Sequence, residues 1–267
     1  MGLGTVAITG AAGAIGSVVR EGLQGQAEHL VLLDRVRIES SSATETAVQL
    51  DLLDPTAVER ALDGVDVVLH LGGLPDEAPL PDLLAANVLG THHVLEGCRR
   101  QGIQRVVLAG SNRLTGFHPN SHLIGTDAPV RPDGLYGVSK VAVEALGQLY
   151  ADKFDLSVLC LRIGSFEEAP TERRHLATWL SHRDAIGYVR AALDAPRSPG
   201  FTAVYAVSAN TRRFWKLPDL DTLAYTPLDD AETYAARIPG SDTPLDPHDP
   251  QGGPYTEPAF TLKHIEY

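Results

Sequence analysis

Residues 5–16 read Thr5-Val6-Ala7-Ile8-Thr9-Gly10-Ala11-Ala12-Gly13-Ala14-Ile15-Gly16. A short apolar run ends in a glycine-rich turn, and helical spacing follows from Ile15 to Leu23. Strand, glycine turn and helix in that order give the three glycines a structural meaning. Gly10 permits a tight turn, Gly13 lets backbone approach a pyrophosphate, and Gly16 lets the helix lie close against the sheet. Ala14 and Ile15 stand at the helix N-terminus, where free N–H groups and the positive end of the helix dipole favour phosphate.

The same alternation continues outward. Apolar runs at His29–Leu33, Thr46–Leu50, Val65–Leu71, Arg105–Ala109 and Leu156–Arg162 predict strands, and Pro55–Leu62, Leu83–Gln101 and Tyr136–Asp152 predict helices. Asp54 before Pro55 is a helix-start signal. Runs without polar alternation are strands covered on both faces. Interleaved with helices, they predict an α/β fold with a doubly wound parallel sheet of Rossmann type. After Ile163 the pattern loosens, with a helix expected over Thr178–Leu193 and a short strand over Ala203–Val207. From Pro239 on, either an extended surface strap or a partly disordered segment is expected. The expected division is a nucleotide-binding domain over 1–165 and a short substrate-binding region over 166–267 packed on it.

At 267 residues the chain suits one large α/β unit. Lys and Arg number 22 against 34 Asp and Glu, a net charge of −12. That balance disfavours nucleic acid and anionic membrane surfaces as partners. No window approaches the roughly 18 apolar residues of a membrane span. Met1 to Gly10 has no basic stretch leading into a long apolar segment, so a cytoplasmic location without a signal peptide is expected. Cys98 and Cys160 lie outside any metal-binding or redox spacing and read as small buried hydrophobes; no metal is expected.

Asp34 ends the second strand, where an acid can accept hydrogen bonds from both hydroxyls of an adenosine ribose and repel a 2′-phosphate. This favours NAD over NADP, although Arg35 beside it is able to hold a 2′-phosphate. Asp51-Leu52 is placed to meet the adenine edge, and Leu71-Gly72-Gly73 allows close backbone approach or is a plain turn. Tyr136-Gly137-Val138-Ser139-Lys140 puts a phenol and an ammonium on one helix face. An ammonium beside a phenol favours the phenolate, a usable general base. Ser111, just past the fifth strand, sits at the carboxyl edge where such sheets bind ligands. Read separately, the Tyr/Lys pair is a common surface feature and Ser111 a loop hydroxyl. Together with the glycine turn and Asp34 they form a catalytic set. Arg173-Arg174 reads either as a solvated pair among Glu167, Glu168 and Glu172 or as a carboxylate fork. The short region after Arg162 favours a small substrate.

The glycine turn, Asn87-Val88-Leu89-Gly90-Thr91, Ser111 and the Tyr136 to Lys140 motif resemble the extended short-chain dehydrogenase/reductase superfamily. His70-Leu-Gly-Gly73, Gly110-Ser-Asn112, Arg131 to Lys140, Arg162-Ile-Gly-Ser165 and Thr178-Trp-Leu-Ser-His182 are similar to its uronate dehydrogenase family. The resemblance implies NAD-dependent oxidation of a hexuronate (cyclic D-glucuronate or D-galacturonate) at C1, giving an aldarolactone and NADH. It implies that Tyr136, Lys140 and Ser111 are catalytic, and that Asn87 and Ile163 support the cofactor site. Asn112 and Ser165 would contact sugar hydroxyls, and Arg174 the C6 carboxylate. Arg113 stands in the substrate pocket where that family has histidine, and Pro75 where it has a small hydroxyl residue, so contacts at both positions are open. Arg173 is expected to be solvated, Trp179 to pack in the core and His182 to cap or orient its segment. The superfamily also implies a homo-oligomer paired through the two long helices. Rival readings are a sugar-nucleotide epimerase or reductase with the same triad, and a dinucleotide-binding regulator without chemistry.

Overall fold

The computed structural model describes residues 2–265. Its first elements are β1 (Thr5–Thr9), α1 (Ala14–Leu23), β2 (His29–Asp34), β3 (Glu45–Gln49), α2 (Pro55–Ala61) and β4 (Val67–His70). One continuous helical stretch follows, α3 (Leu80–Leu83) passing through a π-helical segment (Leu84–Leu89) into α4 (Gly90–Gln101). Then come β5 (Arg105–Ser111), a 3₁₀ turn (Asn112–Thr115), α5 (Leu135–Phe154), β6 (Ser157–Ile163) and β7 (Ser165–Phe166). The last regular elements are α6 (His175–Thr178), β8 (Trp179–Leu180), α7 (His182–Asp194), β9 (Gly200–Ala206) and a short α8 (Pro258–Leu262).

Seven parallel strands form one sheet in the order β3-β2-β1-β4-β5-β6-β9. The order reverses between β1 and β4, and ligands of open α/β sheets bind at the carboxyl end of such a switch point. Alternate residues of each strand bury on opposite faces. Val6 and Ile8 pack under α1 and α7 with Val19, Leu23, Tyr188 and Leu193. Ala7 and Val68 face the other way, under α2, α4 and α5 with Val58, Val94, Leu95 and Val143. Cys98 and Cys160 are free and fully buried in this second layer. Among the described residues, no helix is long and apolar enough to cross a membrane.

Two departures from the sequence reading have physical causes. The helix expected from Thr178 begins at His182, because Trp179-Leu180 pair with Ser165-Phe166 and Ser181 caps the Asp184 N–H. The sheet takes β9 and one covering helix, α7, from beyond residue 165, so the nucleotide-binding layer runs past the expected boundary. The tail is an ordered strap. Asn120 N donates to Asp249 O, Gln251 N to His118 O and Gly252 N to Gly116 O.

Candidate active site

The cofactor edge is built first by the glycine turn. Gly10 has φ +67°, and a Cβ there would lie 2.7 Å from Gly72 N. A Cβ at Gly16 would lie 2.3 Å from Gly10 O, so α1 can approach the turn only without a side chain. Gly13 is the N-cap residue of α1, and no side chain caps it. The first N–H groups of the helix, on Ala14 and Ile15, therefore remain available to a phosphate. At the end of β2, Asp34 Oδ2 accepts from Ala12 N (2.9 Å) and Oδ1 from Val36 N (2.9 Å). Arg35 is exposed and its carbonyl is held by Gln49. Asp51 is exposed beyond β3, and Leu52 reaches under Gly72 and Gly90. These residues, with Leu71 to Gly73 after β4 and Ile163 at the end of β6, lie along one carboxyl edge of the sheet. This cradle of bare backbone and one pinned carboxylate fits a dinucleotide.

Behind Gly72 runs a buried relay that the sequence did not reveal. Gly72 N donates to Thr9 Oγ1 (3.0 Å), which meets His70 Nδ1 (2.7 Å). On its other side His70 Nε2 meets Thr91 Oγ1 (2.9 Å), which spends its proton on Asn87 O. Thr91 must therefore accept from His70, which makes His70 a neutral Nε2–H tautomer and Thr9 a donor to Nδ1. Burial, then the charge of Lys140, pushes His70 down to about 3.

Asn87 is buried by the π-helical segment and acts as a brace. Its Oδ1 accepts from Leu74 N (2.7 Å), and its Nδ2 donates to Leu74 O (3.2 Å) and to Ser139 Oγ (2.9 Å). Ser139 Oγ in turn donates to Tyr136 O (2.7 Å). The loop after β4 is thus tied to the helix that carries Tyr136.

Tyr136 and Lys140 are both buried on one face of α5. Lys140 Nζ donates to Ala109 O (2.9 Å) and lies 5.7 Å from the Tyr136 ring centroid. Ser111 ends β5, buried, with its Oγ accepting from Arg113 N (3.2 Å). Gly137 lets α5 close on this segment, since a Cβ there would lie 2.6 Å from Arg113 O. Asn112 is buried beside Ser111. Ser165 Oγ meets Thr178 Oγ1 (2.8 Å), and Thr178 donates to Arg174 O (3.2 Å). Ser165 therefore gives its proton to Thr178 and keeps lone pairs for a donor.

The two arginines of the pocket differ in their commitments. Arg113 is spent: Nε donates to Asp133 (2.7 Å), Nη1 to Asp76 (2.8 Å) and Nη2 to Glu77 (3.1 Å). Burial opposes its charge, yet Asp133 and the other acids hold Arg113 above its ordinary value. Burial raises the Asp133 carboxyl against the pull of Arg113. Arg113 lies 5.4 Å from the Tyr136 ring and 4.2 Å from the Tyr255 ring. Arg174 lies 5.3 Å from Tyr255, and its Nε donates to Gln251 O (2.8 Å). Both guanidiniums thus stack on one tail residue. Pro75 is exposed at the rim. Arg173 departs from expectation, because its Nη2 holds the carbonyls of Thr243 (2.8 Å) and Pro244 (2.9 Å). Trp179 is buried with Nε1 on Glu167 O (2.8 Å), and His182 stacks on Phe166 at 4.6 Å. Sequence reasoning missed His70, Glu77, Asp133, Gln251 and Tyr255, whose partners are far apart in the chain.

Residues 6–183 match the NAD dependent epimerase/dehydratase family. Uronate dehydrogenase of Agrobacterium fabrum (strain C58) is 39% identical over 254 residues, 94% of this chain and 96% of that enzyme. A mutant uronate dehydrogenase from Agrobacterium tumefaciens, solved in complex with NAD, is 38% identical with a TM-score of 0.89, covering 96% of this chain and 98% of that one. Glucuronic acid dehydrogenase from Chromohalobacter salexigens is 38% identical with a TM-score of 0.88, covering 95% and 96%. With its glycine turn, Asp34 and Ser111/Tyr136/Lys140 set in the matched region, the chain belongs to the NAD dependent epimerase/dehydratase family.

Proposed function

We propose that this protein is an NAD-dependent uronate dehydrogenase, oxidising cyclic D-glucuronate or D-galacturonate at C1 to the aldarolactone. The observation that carries the reading is the pairing of a buried Tyr136/Lys140 face with an arginine spare for a carboxylate. Among the described residues Arg174 donates a hydrogen bond only through Nε, so its terminal N–H pair would match a C6 carboxylate by two parallel hydrogen bonds. Kinship with uronate dehydrogenases supports the same assignment.

The residues divide the work. Gly10, Gly13, Ala14, Ile15 and Gly16 hold the pyrophosphate, and Asp34 the adenosine ribose. Asp51-Leu52, Leu71 to Gly73 and Ile163 line the rest of the cofactor path, with Asn87 as a brace. NAD, when bound, supplies the two-electron oxidant by accepting hydride from C1. Tyr136 takes the C1 hydroxyl proton at its phenol oxygen. Lys140, fixed by Ala109 O, keeps positive charge beside that phenol. Ser111 orients the reacting oxygen, and Asn112 and Ser165 meet sugar hydroxyls. Arg113, spent on three acids, forms a wall of the pocket. A cytoplasmic location is part of the proposal, and two unpaired buried thiols are in keeping with it. So is a homo-oligomer, for which Leu84, Leu89, Val138, Leu149 and Phe154 stand exposed on the long helices.

NADH formation over a panel of uronates and neutral sugars tests the substrate. Uronates should turn over and glucose should not. Arg174→Ala should lower kcat/KM for glucuronate by roughly ten- to several-hundredfold, mostly in KM, with NAD affinity kept. Equal oxidation of glucose, or an Arg174→Ala variant with unchanged kinetics, would sink the uronate assignment.

A further inference from the structure

The helix that carries Tyr136 starts without a cap of its own. Its N-cap residue is Gly134, and no side chain of the neighbouring sequence accepts from its first N–H groups. The acceptor comes from the loop after β4. Glu77 Oε1 accepts from Leu135 N (2.7 Å), and Oε2 accepts from Tyr136 N (3.2 Å). Gly134 is what admits this carboxylate, since a Cβ there would lie 2.5 Å from Glu77 Oε2. The Glu77 side chain is 1% exposed. A buried carboxylate at a helix start satisfies orphan N–H groups and faces the positive end of the dipole.

The consequence bears on Tyr136 itself. Its backbone N–H is held by Glu77 and its carbonyl by Ser139, which Asn87 holds in turn. The same Glu77 oxygen takes Arg113 Nη2, and Arg113 stacks over the Tyr136 ring. One carboxylate therefore sets both the backbone beneath the phenol and the cation above it. A general base must be held closely, because a misplacement of about 1 Å can cost on the order of a hundredfold in rate.

We propose that Glu77 is a positioning residue for the reaction, a capping carboxylate supplied by the cofactor-side loop that sets the Tyr136 phenol in place. This rests on the reading of Tyr136 as the base. The test compares wild type with Glu77→Gln and Glu77→Ala by amide hydrogen exchange over α5, NAD titration, thermal midpoint and steady-state kinetics with glucuronate. Glutamine keeps the volume and one acceptor oxygen, so kcat should fall about tenfold, and about a hundredfold for alanine. KM values and NAD affinity should stay within about twofold, and exchange of the Leu135 and Tyr136 amides should rise in both. Unchanged kcat with unchanged exchange overturns the proposal. So does a loss confined to KM, or a loss of kcat that vanishes when assays are run well below each variant's thermal midpoint. Should Glu77→Ala fail to fold, the isosteric glutamine variant decides. If wild type oxidises no uronate, the functional reading fails, while hydrogen exchange still decides whether Glu77 fixes the Tyr136 segment.

Discussion

Two charged residues of the pocket were equally visible in the sequence and fare differently in the fold. Asp34 has the geometry its proposed role requires. Two backbone amides pin its carboxylate, one on each oxygen, so each oxygen retains a lone-pair site for a ribose hydroxyl. A 2′-phosphate would face the same fixed charge. At an effective dielectric constant near 20 the repulsion is on the order of 2–4 kcal/mol, or roughly thirty- to a thousandfold in preference for NAD. Asp34→Ala should narrow that gap from both sides, weakening NAD and admitting NADP. Comparing kcat/KM with each cofactor checks this; comparable wild-type values would mean that exposed Arg35 takes the phosphate. Arg113 shows the opposite outcome. Its identity and pocket position were legible, but its commitment to Asp76, Glu77 and Asp133 was not, because no local pattern links those partners. In the proposed site, an arginine spent on three carboxylates would shape the pocket rather than offer its charge to the substrate.

Elements with a strict period were read almost to the residue. β1 and β6 carry continuous apolar runs that only a sheet covered on both faces can bury, and α2 has Asp54 and Pro55 to start it. The helix before β5 was read as regular, because a π-helical segment leaves no mark in apolar spacing. It inserts a wider turn, and such turns gather at functional sites. Here it buries Asn87 and brings Thr91 under His70, so that β4, its loop and α5 share one polar network. That network makes stability depend on pH. In the unfolded chain His70 titrates near 6.5, and in the fold near 3. Between those values the unfolded chain binds the extra proton. The contribution of neutral His70 is therefore present above about pH 6.5 and is lost as pH falls toward 3. By pH 5 the loss should reach about 2 kcal/mol at 1.36 kcal/mol per unit. Urea unfolding of wild type and His70→Gln across pH 5–7.5 isolates this part from the carboxylates common to both. Parallel pH slopes in the two proteins would refute it.

At the scale of the whole molecule, the sheet positions the cofactor edge, and in the proposed site the tail completes the substrate end. The tail looked irregular because Pro, Asp and Gly carry no period, yet its order comes from long-range polar contacts. Gln251 is the point where these meet, at 1% exposure. Its side chain accepts from the fully buried Trp215 Nε1 (3.0 Å) and donates to Pro119 O (3.2 Å) and His122 O (2.8 Å). Its carbonyl holds Arg174 Nε. Stability and the carboxylate fork proposed for Arg174 thus depend on one residue. Gln251→Ala would leave the Trp215 indole N–H and the His122 carbonyl without partners, while Pro119 O keeps the His122 N–H, at about 1–3 kcal/mol for each buried group left unpaired. Partial relaxation brings the expected total to about 2–4 kcal/mol, a fall in thermal midpoint of roughly 5–15 °C for a chain of this size. The backbone carbonyl survives the substitution, so Arg174 keeps its acceptor but on a looser strap. KM for glucuronate should then rise several-fold with kcat nearly kept, because a carboxylate is bound alike in ground and transition states. NAD affinity should not move, since the glycine turn follows β1 and Asp34 ends β2, whereas the Gln251 side chain meets Pro119 and His122 beyond β5 and Trp215 beyond β9. Calorimetry, NAD titration and steady-state kinetics on the one variant separate these effects. A stable variant with unaltered KM would mean that the tail covers the pocket without holding Arg174, and a loss of NAD binding would mean that the two ends of the sheet are coupled through the core.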